Sequence, residues 1–281
     1  MSDEIPEFKL GIILVGNIGM SPLLAMVLDE RADRKDLNTV VATSGAKLGK
    51  NECIETTKKI LAEKPQLILW SSPNAGLGGP KAARDLIQES GIPAIIISDA
   101  PSKKASEEIA ERGMGYIVVP ADSMIGARRE LLDPLEMVLF NADLLKVLAL
   151  SGVINLVVAE IEKVIDQIKA GQKPELPQLV VNKTNAAEAA KYLNPYAKAK
   201  AMAAHEIAVN VSKLNTTGCF KLSHRAEYMP VIAAAHEMMR VAAMLADEAR
   251  EIEKGTGQVS RAPHYKDGKL LYKTGFEDKA K

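Results

Sequence analysis

The chain has 281 residues, enough to bury a substantial core in one large domain or in a domain with an appendage. Hydrophobic residues make up 47% and charged residues 26%, with 36 basic side chains balancing 36 acidic ones; this composition is ordinary for a soluble globular protein and removes the bulk-charge argument for a nucleic-acid binder. Only two cysteines occur, Cys53 and Cys219, without C-x-x-C spacing, so neither a disulfide framework nor a cysteine zinc site is supported.

The segment Met1–Glu7 is acidic and lacks an apolar signal region. No continuous run reaches the length of a membrane span, so a cytoplasmic location is expected. From Leu10 the chain alternates short β-branched runs with helical stretches. Leu10–Val15, Thr39–Ser44, Leu67–Trp70, Ala94–Ser98 and Tyr116–Val119 are strand candidates, nearly continuous in apolar character, as parallel strands covered on both faces are. Helices are expected near residues 21–33, 51–64, 79–90 and 102–112. This alternation predicts an α/β fold, a doubly wound parallel sheet with a ligand crevice beyond the strand carboxyl ends, over residues 1–130.

Beyond residue 130 the pattern becomes helical, at Leu135–Leu150 and Ile154–Lys169. A polar connector, Gly171 to Pro177, follows, and Leu179-Val180-Val181 reads as one more short strand. Ala- and Met-rich stretches at 195–214 and 226–254 read as long helices, so residues 131–254 are expected to add a helical bundle and oligomer contacts. From 255 to 281 a β extension is expected, because Asp267-Gly268 between two apolar flanks is a tight-hairpin signal. An isolated hairpin is marginal, so it should pack on its own chain or on a partner.

The sharpest local signal is the passage from the first strand into Gly16-Asn17-Ile18-Gly19, with Ser21 and Pro22 placed to cap and start a helix. Glycines there permit close backbone approach, and a helix N-terminus offers N–H groups to an anion. The spacing is not the dinucleotide fingerprint, and a purely structural turn is the alternative. The loops beginning Ser72-Pro73-Asn74, Asp99-Ala100 and Asp122-Ser123-Met124 fall on the same sheet edge, which is what a cleft needs; each alone also reads as an ordinary strand-to-helix turn. Arg128 or Arg129 is placed to clamp a carboxylate or phosphate, the alternative being an ion pair to Asp133 or Glu136. His205-Glu206 and His236-Glu237 lack H-E-x-x-H spacing, so no metal site is expected. Nor is there a G-x-S-x-G nucleophile elbow.

Taken together, these stretches resemble the coenzyme F420-dependent methylenetetrahydromethanopterin dehydrogenases. The resemblance rests on Gly11-Ile12-Ile13 with Gly16-Asn17-Ile18-Gly19, Leu28 to Arg34, Ser44-Gly45-Ala46-Lys47, Ser72-Pro73-Asn74, Leu139 to Asp143, Asn194 to Ala204 and Ala235 to Ala243, among others. It runs almost end to end. It implies hydride transfer between a one-carbon unit on tetrahydromethanopterin and coenzyme F420, which binds as a dissociable co-substrate, with no metal, in a homo-hexamer. It also implies a deazaflavin site at Gly16, Asn17, Ile18, Gly19, Ser44, Ser72, Pro73, Asn74, Asp99 and Ala100. A pterin site is implied at Asp122, Met124, Arg128, Arg129 and His236, with Asp122 and Glu237 acting electrostatically rather than as acid or base. The sequence departs from the family at Leu14, where lysine is common, and at the Ala75–Gly78 loop and Ser123, where proline is usual. Two alternatives stand beside this reading: a same-fold pterin dehydrogenase using a pyridine nucleotide, and a non-catalytic binding homologue.

Overall fold

The computed structural model describes residues 7–281; the acidic stretch Met1–Pro6 lies outside the described residues. Six strands form one parallel sheet: β1 (Phe8–Leu14), β2 (Leu37–Thr43), β3 (Leu67–Ser72), β4 (Ala94–Ser98), β5 (Gly115–Val118) and β6 (Gln178–Val180). Their order is β2-β1-β3-β4-β5-β6, and every pairing is parallel. All six residues of β3 and all five of β4 are buried, which is why these strands read as unbroken apolar runs rather than as alternation.

The five strands expected from the first half are present. The short run near Leu179 is the sixth, at the sheet edge beside β5, so the segment beyond residue 130 is not helical alone. The helix expected over 21–33 is cut short: a 3₁₀ turn at Ser21–Leu23 leads into α1 (Leu24–Leu28), which ends at Asp29. The polar run Asp29 to Asp36 offers no apolar spacing to extend it. Three further helices, α2 (Lys50–Ala62), α3 (Gly78–Ser90) and α4 (Ser106–Glu111), cover one face of the sheet. A 3₁₀ turn at Ala100–Ala105 replaces the first part of the fourth expected helix.

The opposite face carries α1 and the helices of the second half: α5 (Pro134–Leu150), α6 (Val153–Lys169), α7 (Lys183–Ala190), α8 (Pro195–Thr216) and α9 (Arg225–Lys254). One continuous apolar core joins β1, β3, β4 and β5 to α5, α6, α8 and α9. A π-helical turn at Thr217–Lys221 links α8 to α9. Although α9 is long and apolar enough over eighteen residues to cross a bilayer, it packs along α5 and α8 through a small-residue stripe that includes Ala235, Ala242 and Ala246.

The C-terminal β extension folds onto its own chain. Strands β7 (Gln258–Arg261) and β8 (Lys273–Gly275) pair antiparallel around an inner bridge between His264 and Leu270, and Gly268 takes the left-handed turn at φ +88°. His264 anchors it: its N–H donates to Glu30 Oε1 at 2.9 Å, its Nδ1 lies 2.7 Å from Glu30 Oε2, and its Nε2 lies 2.9 Å from Glu162 Oε1. Arg34 joins the same buried network through Asp36 (2.8 Å) and Glu162 (3.2 Å).

Candidate functional site

In this strand order the chain winds one way from β1 to β2 and the other way from β1 to β3. The loops after β1 and β3 therefore part at the carboxyl edge and leave a crevice, the usual ligand position of a doubly wound sheet. The first wall is the turn Gly16–Met20. Gly16 has φ +73°, and a Cβ on it would lie 2.8 Å from Leu48 Cδ2 and 2.9 Å from Pro73 Cδ, so both conformation and space require glycine. Asn17 is exposed at the tip, whereas Ile18 and Gly19 are buried.

The expected helix N-cap at Ser21 is corrected by the structure. Ser21 is the first residue of the 3₁₀ turn, and its Oγ pairs with Ser71 Oγ at 2.6 Å. The capping function falls to Asp122 instead, which arrives from the end of β5. Its carboxylate accepts Gly19 N–H at 2.8 Å and Met20 N–H at 3.1 Å. Asp122, expected to face the pterin, is thus turned inward and fully buried. Burial pushes its pKa up to about 7, against the opposing pull of those two amide bonds.

The second wall follows β3. Ser72 Oγ accepts Asn74 N–H at 3.4 Å, Asn74 Oδ1 accepts Gly76 N–H at 3.0 Å, and Ser102 Oγ accepts Ala75 N–H at 2.8 Å. Ser72, Pro73 and Asn74 therefore shape this loop as much as they line it. It feeds α3, whose first turn has no side-chain cap and begins with Gly78, beside which a Cβ would meet nothing within 4 Å. Open amides at an uncapped helix end suit an anionic ligand group. Ser44 lies across the crevice at the end of β2, its hydroxyl donating to the Lys47 carbonyl at 2.7 Å. Leu14 is buried in the main core.

The floor is Asp99, the last residue before the 3₁₀ turn that starts at Ala100; it accepts the Ala100 N–H and lies 3.4 Å from Ser212 Oγ on α8. Burial first, and repulsion from Asp122 second, hold its pKa well above the carboxylate range, outweighing those two bonds. Burial thus disfavours the charged form of Asp99.

The third wall is the β5 loop, and the helices fasten it. Asn215 Nδ2 donates to the Met124 carbonyl at 2.7 Å, and the Gly126 N–H donates to His236 Nε2 at 3.3 Å. An acceptor role at Nε2 places the ring proton on Nδ1, which faces Glu136 at 3.9 Å. Burial lowers the His236 pKa, more than Glu136 and Glu237 raise it, so the imidazole is neutral. Arg128 makes neither the expected anion clamp nor an ion pair to Asp133 or Glu136. Its guanidinium donates to the carbonyls of Gly218 (3.1 Å) and Leu222 (2.6 Å) and lies 4.2 Å over the Tyr228 ring. The π-helical turn leaves those carbonyls without helical partners, and a planar fork suits them. Arg129, Glu237 and Met124 remain exposed around this wall. His205 is buried on α8 with neither ring nitrogen paired, and among the described residues no three His, Cys, Asp or Glu side chains cluster as metal ligands.

Sequence reasoning missed Ser102, Ser212 and Asn215. Ser212 and Asn215 stand three residues apart on the buried stripe of α8, and that polar pair on an otherwise apolar face was the available signal. A cavity of about 620 Å³, lined by Met26, Ile154, Val158 and Tyr272, sits beneath the C-terminal extension and holds none of these residues.

Fold and site together define a doubly wound α/β protein with a glycine-lined crevice at the carboxyl edge of its parallel sheet. A model of the methylene-5,6,7,8-tetrahydromethanopterin dehydrogenase family matches residues 8–281. The F420-dependent methylenetetrahydromethanopterin dehydrogenase of Archaeoglobus fulgidus is 54% identical over 266 residues, covering 95% of this chain and 96% of that one. The enzyme of the same name from Methanocaldococcus jannaschii is 50% identical, covering 96% and 98%. A solved structure of F420-dependent methylene-tetrahydromethanopterin dehydrogenase, in complex with methylene-tetrahydromethanopterin and coenzyme F420, superposes with a TM-score of 0.94 at 42% identity. It covers 98% of this chain and 100% of its own. The chain belongs to the methylenetetrahydromethanopterin dehydrogenase family.

Proposed function

We propose that this protein transfers a hydride between methylenetetrahydromethanopterin and coenzyme F420, with both ligands bound in the crevice at the carboxyl edge of β1, β3, β4 and β5. The observation that carries this is the end-to-end match, in fold and sequence, to a structure holding both ligands. The deazaflavin, when bound, supplies the electron-accepting carbon, so the chain's own residues need only bind, orient and exclude water. The Gly16–Gly19 turn, Ser44, Ser72–Asn74 and the open N-terminus of α3 hold the deazaflavin side. Asp99, its charged form disfavoured by burial, floors the crevice beside Ala100 as a fixed hydrogen-bonding group. Met124, Arg129 and the His236 ring face the pterin side, and the exposed Glu237 next to them supplies negative potential toward a cationic methenyl product.

Direct transfer requires the two reacting carbons within roughly 3–3.5 Å, which the three interlocked loops serve by removing their own freedom. The exposed apolar side chains Leu135, Val138 and Leu139 on α5, with Val241 and Met244 on the adjacent α9, support a homo-oligomer, for which the resemblance implies a hexamer. A cytoplasmic location is part of the same reading. A pyridine-nucleotide enzyme would carry an acidic residue at the end of β2 to hold a ribose, whereas Thr43-Ser44-Gly45 stands there. Absorbance assays with methylenetetrahydromethanopterin and, side by side, the deazaflavin and the two nicotinamides test this. Reduction of the deazaflavin alone is expected; nicotinamide reduction, or none at all, would replace the reading with one of the two alternatives.

A further inference from the structure

One side chain joins the first and third walls of the crevice. Asp122 reaches from the end of β5 into the β1 turn and receives two successive amides, Gly19 N–H and Met20 N–H. Gly19 has no slack, since a Cβ there would come within 2.5 Å of Leu144 Cδ2 and 3.0 Å of Asp122 Oδ1. A few residues onward the β5 loop is itself fastened to α8 by Asn215, to α9 by His236, and to the π-helical turn by Arg128. The position of the β1 turn is therefore set from the helices, and Asp122 is the connection.

We propose that Asp122 is a positioning residue for the deazaflavin: by holding the Gly19 and Met20 amides it fixes the Gly16–Ile18 backbone against which that ligand lies. The inference rests on the hydride-transfer reading above. A carboxylate has an acceptor for each amide, whereas a carboxylic acid or a carboxamide has one acceptor and one group whose hydrogens confront an N–H. The other groups around Asp122 bring little competing charge. The β1 turn offers amides and α5 offers the apolar Leu144; the ionisable neighbour is Asp99, whose own pKa burial raises. With its pKa raised to about 7, Asp122 grips both amides above neutrality and releases one below it.

The test compares wild type with Asp122→Asn from pH 6 to 8.5, measuring kcat and the KM of each ligand. Wild-type activity with the deazaflavin checks the underlying reading first; if there is none, that reading fails and not this inference. Given activity, at pH 8.5 the Asn variant should show a deazaflavin KM about tenfold higher, with kcat and pterin KM changed less than about threefold, as expected for one lost charge-assisted hydrogen bond. The variant-to-wild-type KM ratio cancels titration of the ligands, and it should fall toward 1 as pH drops through about 7. A ratio flat with pH, or equal losses for both ligands, overturns the proposal. Hydrogen exchange of the Val15–Leu24 peptide in wild-type enzyme reads the same clamp without any mutation. Its protection, corrected for intrinsic rate, should drop below about pH 7, and pH-independent protection would count against the proposal even if the variant failed to fold.

Discussion

Replacing Gly16 with alanine tests whether the first wall of the crevice is built as described. The left-handed backbone at φ +73° costs an alanine about 1–2 kcal/mol. Its Cβ would also press on Leu48 Cδ2 at 2.8 Å and Pro73 Cδ at 2.9 Å, and overpacking of this kind adds about 1–3 kcal/mol. With about 2.1 cal/mol/K of unfolding entropy per residue, roughly 0.6 kcal/mol/K for this chain, a loss of about 2–5 kcal/mol lowers Tm by about 3–8 °C. Gly91→Ala is the matched control. It has φ +69° at the end of α3, with nothing within 4 Å, so it carries the backbone strain without the crowding and should lose only about 2–3 °C. Differential scanning calorimetry and deazaflavin KM are measured on both. Gly16→Ala should melt below Gly91→Ala and alone should weaken the deazaflavin. If the two variants melt together and bind alike, the contact of Leu48 and Pro73 with this turn does not set the crevice.

Arg34→Ala removes the cation shared by the buried Asp36 and Glu162, which keep Lys169 and His264, so denaturant unfolding should show a loss near the low end of about 3–5 kcal/mol. Burial lowers the His264 pKa, but Glu162 and Glu30 together outweigh it and raise the value above 6.5; that stabilisation is fully present below pH 6.5 and fades as pH rises through the raised value. The Tm gap between wild type and His264→Gln should therefore be widest at acid pH and narrow toward pH 9. Arg128→Lys loses the fork to Gly218 and Leu222 and should cost about 1–2 kcal/mol, whereas the exposed Arg129→Ala should stay within about 0.5 kcal/mol while raising the pterin KM.

The sheet was legible in the sequence because parallel strands buried on both faces leave a run that little else imitates, as Leu67 to Ser72 does. The long helices α5, α6, α8 and α9 were legible from spacing for the same kind of reason. The break of the first helix after Leu28 was harder to see, since that helix holds only one turn of apolar spacing. Site loops were found by where they fall, at one edge of the sheet. What their side chains do there was not found, because Asp122 and Arg128 act on backbone groups brought near by folding, and an amide a hundred residues away leaves no mark on local spacing. Arg128 shows the difficulty well: beside Arg129 it reads as an anion clamp, and only the carbonyls freed by the π-helical turn explain where it goes.

The central claim is that two ligands meet directly in this crevice, with no acid, base or metal between them. It is tested by running the reaction in D₂O with unlabelled methylenetetrahydromethanopterin, and in H₂O with the methylene group deuterated, then locating the label in the reduced deazaflavin by NMR. Direct transfer predicts that the one hydrogen newly added to the reacting deazaflavin carbon comes from the pterin in both experiments: protium in D₂O, deuterium from the deuterated methylene group. Solvent hydrogen at that carbon would contradict the account.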